Sequence, residues 1–248
     1  MKFVGEPQLT MMDYPGRTAF LVFSQGCNYS CSGCHAKRIA YAGYGGSAKE
    51  TLAAIDSLRK INSWTKGVVI CGGEPTIHNG LESFCGEIKE RGLEVKLDTN
   101  GSNPEVLGRL IERDLLDYIA MDMKGPLRIY PKITQRDVRG IVESLGIVGA
   151  FRNRELRTTL FPLFYDDEPR WMNVEEAREM ADEIARYTRD NYITHYLQGF
   201  RARDETEMID PRCSLQQLPD SMQRTPKRIL DDLGKEIKKA LPNSKIRN

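Results

Sequence analysis

The stretch Ala19-Phe20-Leu21-Val22-Phe23-Ser24-Gln25-Gly26-Cys27-Asn28-Tyr29-Ser30-Cys31-Ser32-Gly33-Cys34-His35 decides how the rest of the chain is read. Its opening, Ala19–Ser24, is an apolar run of the length and composition of a buried strand. Three cysteines follow in the pattern C-x3-C-x2-C, so one loop can wrap a single compact metal centre. Soft thiolates select zinc or an iron–sulfur cluster over magnesium or calcium. A structural zinc site is normally closed by a fourth ligand, and a [4Fe–4S] cluster usually has four cysteines. Three thiolates leave one iron open, as a cluster requires if it is to bind a small molecule directly. His35 adjoins Cys34, and adjacent side chains tend to point apart, which disfavours it as the missing ligand. Cys85 lies on an apolar helix stripe between Phe84 and Ile88 and reads as core. Cys71 closes a strand and reads as a small buried residue, and Cys213 falls in a polar loop and carries no reading.

Composition removes several classes of function. The 248 residues include 36 Lys plus Arg against 35 Asp plus Glu, so no global charge draws the chain to nucleic acid or to a membrane surface. Only 235–247 is visibly basic, and a solvated helix face accounts for it. The opening Met-Lys-Phe-Val-Gly-Glu-Pro is too polar for a signal peptide, and no run of ~18 apolar residues could span a bilayer. Clustered cysteines in such a chain read as ligands, in a reducing cytoplasm.

Outward from the cysteine loop, apolar or β-branched runs alternate with helical patterns. Expected strands are Ala19–Ser24, Val68–Cys71, Val95–Asp98, Tyr118–Asp122, Leu156–Phe161 and Thr194–Gln198. The helices between them carry their own punctuation. Ser47-Ala-Lys-Glu50 is a capping box, Gly92 is a left-handed stop, and Asn103-Pro104 is an N-cap with proline at the first helical position. Further helices open at Asn173 and at Thr225-Pro226. Such alternation implies right-handed parallel crossovers, too few to close a complete barrel. The expected fold is α/β, a partial (β/α)6 barrel with parallel strands and an open side, with a doubly wound sheet as the alternative. The expected organisation is one domain over residues 1–248, with a core at about 17–200 and a helical extension at about 201–248.

Each expected strand ends in a polar cluster, where α/β barrels gather their chemistry. After the second come Gly72-Gly73-Glu74-Pro75: two glycines permit close backbone approach, and Glu74 can accept from an ammonium group. The third ends Asp98-Thr99-Asn100-Gly101, a carboxylate, a hydroxyl and an amide suited to a ribose or to a carboxylate held through a cation, or else to a plain Asx turn. The fourth ends Asp122-Met-Lys124, whose alternation puts both charges on one side. The last ends Gln198-Gly199-Phe200.

Together these residues resemble the radical S-adenosylmethionine (SAM) superfamily, which the cysteine spacing and Gly72-Gly73-Glu74-Pro75 identify. Asp13-Tyr14-Pro15-Gly16, Met121-Asp122-Met-Lys124, Arg157-Thr158-Thr159, Tyr196-Leu-Gln198-Gly-Phe200 and the Ile246-Arg247 tail narrow the resemblance to activating proteins of glycyl-radical enzymes, nearest those of anaerobic ribonucleoside-triphosphate reductases. The resemblance implies a [4Fe–4S] cluster on Cys27, Cys31 and Cys34. It implies SAM contacts from Gly33, Gly72, Gly73, Glu74, Asp98, Thr99, Asn100, Asp122, Lys124 and Gln198, with a monovalent cation beside Asp98 and Asp122. It further implies flavodoxin or ferredoxin as electron donor and a glycine of the partner reductase as hydrogen donor. Two positions depart from the pattern: Gly33 stands where an aromatic residue usually borders the adenine, and Ala36 where the activating proteins often have asparagine. Two other readings stay open. One is a radical SAM enzyme for a small molecule, resembling 7-carboxy-7-deazaguanine synthase. The other is a non-catalytic zinc or cluster module, which leaves Glu74, Asp98, Asn100, Asp122 and Lys124 unexplained.

Overall fold

The computed structural model describes residues 1–248 except 42, 44, 135–139, 166, 167 and 248. It divides into two compact units, Met1–Asn28 with Arg38–Ala120, and Tyr29–Lys37 with Met121–Asn248. In chain order the first part of the sequence forms β1 (Lys2–Thr10), β2 (Ala19–Ser24), α1 (Lys37–Ala40), β3 (Gly46–Ser47), α2 (Ala48–Ile61), β4 (Gly67–Gly72), α3 (Leu81–Glu90), β5 (Glu94–Thr99) and α4 (Pro104–Glu112). Strand β6 (Tyr118–Asp122) carries the chain from one unit into the other. Then come α5 (Tyr130–Thr134), α6 (Ile141–Ala150), β7 (Arg154–Leu160), β8 (Leu163–Tyr165), β9 (Glu168–Arg170), α7 (Val174–Thr188), β10 (His195–Gly199), α8 (Lys227–Ala240) and β11 (Ser244–Arg247).

In the first unit the strand order is β3-β1-β2-β4-β5. Strands β2, β4 and β5 run parallel, while β1 is antiparallel to both its neighbours. Val68, Val69 and Ile70 are completely buried, as a parallel strand covered on both faces demands. The register pairs Ser24 with Gly72, so β2 and β4 end level and deliver their following loops to the same edge. Helix α2 opens with the expected capping box: Glu50 N donates to Ser47 Oγ at 3.2 Å and Ser47 N to Glu50 Oε2 at 2.6 Å. Helix α3 closes at Gly92, whose φ of 69° is left-handed. The Gly92 N–H bonds Lys89 O at 2.8 Å and the Leu93 N–H bonds Ile88 O at 3.3 Å, a Schellman closure. Asn103 precedes α4 as expected but does not cap it; its side-chain amide donates to Thr76 Oγ1 at 2.8 Å instead.

In the second unit β7, β10 and β11 lie side by side, all parallel. Helix α7 carries a capping box between Asn173 and Glu176 and buries Ala177, Ala181 and Ile184 as the sequence pattern expects, together with Met180, whereas Val174, expected to face inward in the first turn, is 43% exposed. Strands β8 and β9 form a small separate hairpin. The α/β class, the mostly parallel strands and the open sheet edges agree with expectation. All six anticipated strands form, Ala19–Ser24 and Tyr118–Asp122 at the predicted bounds. Strands β1, β3, β8, β9 and β11 are additional.

Candidate active site

In the first unit the site grows from the level ends of β2 and β4. Gly73 N donates to Ser24 O at 2.9 Å and Glu74 N to Gly26 O at 2.8 Å, which stitches the Gly-Gly-Glu turn onto the start of the cysteine loop. Glycine is required here on two counts. Gly72 has φ of 113°, and a Cβ on Gly73 would lie 1.7 Å from Gly26 O.

Glu74 is fully buried, and its carboxylate accepts four hydrogen bonds from within the protein. They come from Thr76 N (3.1 Å), Thr76 Oγ1 (2.6 Å), Thr99 Oγ1 (2.7 Å) and Asn100 N (2.6 Å). Burial pushes its pKa upward and the four donors pull it back. The side chain read as an acceptor for an ammonium group is therefore engaged internally. Asn100 extends the network: its amide donates to Asn28 Oδ1 at 2.9 Å and approaches Cys27 Sγ at 4.0 Å, while Asn28 donates to Ser102 Oγ at 2.8 Å. Asp98 forms an ion pair with Lys96, whose side chain is 1% exposed.

The second unit carries Cys31 and Cys34 with a charged cluster. Asp122 Oδ2 lies 3.2 Å from Lys124 Nζ, and Asp122 Oδ1 lies 3.1 Å from Arg157 Nε. Lys124 and Arg157 thus both face the Asp122 carboxylate. Enclosure alone would raise the pKa of Asp122, but Lys124 and Arg157 outweigh it and hold it at about 2. Burial alone would lower that of Lys124; Asp122 and then the thiols of Cys31 and Cys34 more than reverse it, so the ammonium stays charged beside two cysteines. Tyr130, completely buried, fixes this strand end by accepting from Lys124 N at 3.1 Å and donating to Asp122 O at 3.3 Å. Asp98 pairs with Lys96, and Asp122 with Lys124 and Arg157.

The cysteine loop is strapped from the C-terminal side. Ile209 N donates to Cys34 O at 2.9 Å and Lys37 N to Glu207 O at 3.1 Å. Cys213, in a stretch polar enough to read as exposed loop, is completely buried, and burial pushes its thiol up to about 12. Cys85 is likewise buried, as read from its stripe, and Cys71 donates to Val22 O at 3.5 Å. Gln198, next to last in β10, accepts from Thr159 Oγ1 at 3.5 Å. Sequence reasoning missed Asn28, Lys96 and Tyr130. Lys96 had a signal, alternating with Asp98 as Asp122 does with Lys124. Tyr130 had none, because only the tertiary fold brings it back to the strand end.

None of the six cysteines is in a disulfide. Soft cysteine sulfurs brought by one loop are the donors an iron–sulfur cluster takes. With Lys124 charged beside Cys31 and Cys34, the donor set fits an anionic iron–sulfur cluster.

The comparisons agree with that chemistry. The family model described as the radical SAM superfamily matches residues 21–173. A Methanocaldococcus jannaschii protein named as a candidate glycyl-radical enzyme activating enzyme is 28% identical over 98% of this chain and 94% of its own length. Among solved structures, a domain of pyruvate-formate lyase-activating enzyme from Bacteroides vulgatus superposes with a TM-score of 0.52 at 14% identity, over 74% of this chain and 99% of that one. TYW1 with a lysine-pyruvate adduct gives 0.58 at 13% identity, over 89% and 73%. At such identities the structures speak for the fold alone. With the family model covering well over half of the chain, and three cysteines, a Gly-Gly-Glu-Pro turn and charged strand ends in place, this chain belongs to the radical SAM superfamily and is an enzyme using a [4Fe–4S] cluster and SAM.

Proposed function

We propose that this enzyme generates a glycyl radical on a partner protein, an anaerobic ribonucleoside-triphosphate reductase, with flavodoxin or ferredoxin supplying the electron. The observation that carries this reading is the near full-length similarity to a candidate glycyl-radical enzyme activating enzyme. Asp13-Tyr14-Pro15-Gly16 and Arg157-Thr158-Thr159 support it. A cluster held by Cys27, Cys31 and Cys34 would supply the one-electron chemistry that cleaves SAM and opens the way to hydrogen abstraction from the substrate.

The chain's own residues bind and orient. Cys27, Cys31 and Cys34 hold three irons. The Gly72-Gly73-Glu74 backbone and Asn100 border Cys27 in the first unit. Lys124, cationic at the strand end that carries Asp122, favours the methionyl carboxylate. Thr99 and Glu74 keep the strand ends rigid rather than touching substrate, and Gln198 serves the outer rim. Among the described residues no helix is long and apolar enough to cross a membrane.

The test is anaerobic reconstitution, then reduction with SAM in the presence of the purified reductase, read by electron paramagnetic resonance. A carbon-centred doublet on the reductase, lost in Cys31→Ala, is the expected result. SAM cleavage without a doublet, stimulated instead by a small molecule, would replace the reading with the 7-carboxy-7-deazaguanine synthase-like alternative.

A further inference from the structure

The second unit carries a cationic cavity, none of whose lining residues is assigned to the cluster or to SAM. It lies at the C-terminal end of β10, has a volume of about 530 Å³, and is walled by the chain leaving Gly199, by Arg224 and Thr225 and by the first turn of α8. That volume falls within the roughly 300–1,000 Å³ of small-molecule sites, and α/β sheets place ligands at strand C-terminal ends. Two chain segments meet there as an isolated antiparallel bridge, Arg201 opposite Arg224. Thr225 N donates to Phe200 O at 3.0 Å and Ala202 N to Gln223 O at 2.7 Å, so the hydrogen bonds flank the arginine pair and do not join it. A pair of this kind brings its Cα atoms to about 4.5 Å and its side chains closest together. Like charges set directly opposite each other are destabilising. Both arginines are exposed and line the cavity. Among the described residues no ion pair or hydrogen bond answers either guanidinium. Lys227 adds a third cation to the lining; its ammonium is 2.6 Å from Asp231, which lies outside the lining. The bridge is anchored to the sheet by Thr225 Oγ1, which accepts from Phe200 N at 2.7 Å and donates to Leu160 O at 2.8 Å.

We propose that this cavity binds a dianionic phosphate group, held between Arg201 and Arg224 with Lys227 at its edge. Two like charges locked in closest register weaken the empty protein, and an anion seated between them reverses that effect. Planar guanidinium forks match phosphate oxygens two at a time. A carboxylate carries one charge and answers one arginine. A phosphate group above about pH 7 carries nearly two and answers both. The first turn of α8 leaves room for it, with no acidic residue of its own and with Pro226 as a cap that offers no side-chain acceptor. The opposed arginines carry the inference, which holds whichever substrate meets the radical.

The test uses the cluster-loaded full chain in phosphate-free buffer at about pH 8, where phosphate is a dianion. At constant ionic strength it is titrated calorimetrically with inorganic phosphate and separately with glycerol 3-phosphate. Saturable binding is expected, weakened about tenfold in Arg201→Gln and in Arg224→Gln, with iron content and SAM affinity unchanged. Melting scans add a readout that a structural role for the arginines would move the other way. Without phosphate, Arg224→Gln should melt no lower than the parent, because it relieves a like-charge contact; with phosphate, the parent should gain more than either variant. Affinity for inorganic phosphate equal to or above that for the ester assigns the site to the free anion, and tighter binding of glycerol 3-phosphate assigns it to an organic phosphate; either supports the proposal. Absence of saturable binding, or affinity unaltered in both variants, would overturn it. So would binding of a tetraglutamate peptide with neither phosphate bound, which would reassign the cavity to an acidic protein segment. Lower melting of both variants in phosphate-free buffer would overturn it as well, since the arginines would then hold the fold.

Discussion

The strand ends of the two units keep order by different means. In the first, one buried carboxylate, Glu74, collects four donors from two neighbouring segments, and no charged group is needed to answer it. In the second, Asp122 is 37% exposed and is answered by two cations. Saturated hydrogen bonding around a buried acceptor is brittle: remove the acceptor and every donor is stranded without water. A partly solvated ion cluster is forgiving toward the fold but sets a local field. The first arrangement suits a frame, the second suits binding of charge.

The largest effect should come from breaking the frame. Glu74→Ala strands four donors and should cost about 4 kcal/mol of stability, seen as a loss of soluble, cluster-loaded protein and a melting shift in whatever remains. Next, the second unit contains one neutral network that behaves like the first. His195 Nε2 donates to Thr158 Oγ1 at 3.0 Å, Thr158 donates to Met123 O at 2.6 Å, and Ser244 donates to His195 Nδ1 at 2.9 Å. Burial lowers the pKa of His195 from 6.5 to about 4. The fold therefore holds it neutral, and its contribution is complete above pH 6.5. It declines as pH falls from 6.5 toward 4, by up to ~3 kcal/mol. Urea midpoints measured across that range should show this slope, and His195→Gln should flatten it.

The ion cluster should respond in the opposite way. Lys124→Met leaves Arg157 on Asp122, so melting should move by only a few degrees, while SAM affinity falls about tenfold by calorimetry. If Lys124→Met instead unfolds the protein, the contrast between frame and field fails. The smallest effect belongs to an exposed control. Arg17 and Glu94 pair at 2.9 Å with 47% and 36% of their side chains exposed, and Arg17→Ala should leave the melting temperature unchanged within the error of the measurement.

Much of this architecture is legible in the sequence because buried parallel strands are written as continuous apolar runs. Val68-Val69-Ile70 and Tyr118–Asp122 announce themselves, and the polar residues that follow mark the working edge. Strand β1 is hidden because Gly5 and Pro7 interrupt a polar, half-exposed edge whose pairing with β2 is irregular. Strand β11 is too short to carry a period, and its alignment with β10 depends on contacts distant in sequence. At the site, residue types were readable but not their directions. Glu74 in Gly-Gly-Glu-Pro looks like a ligand-facing carboxylate, and only the fold reveals that Thr76, Thr99 and Asn100 surround it. Gly33 reads as one more loop glycine, and only the fold shows Phe161, more than a hundred residues later, packed so closely that a Cβ there would clash with it. Cys213 shows the same limit in reverse, a thiol in polar surroundings that tertiary packing buries completely.

The strap over the cysteine loop offers a clock. The amide of Ile209 is protected by the carbonyl of Cys34, one of the three cluster ligands. Its proton can trade with solvent only when strap and loop part. Hydrogen–deuterium exchange at that single amide should therefore be slow in the loaded enzyme and fast once the cluster is stripped, reporting the state of the metal centre from a nitrogen that never touches it.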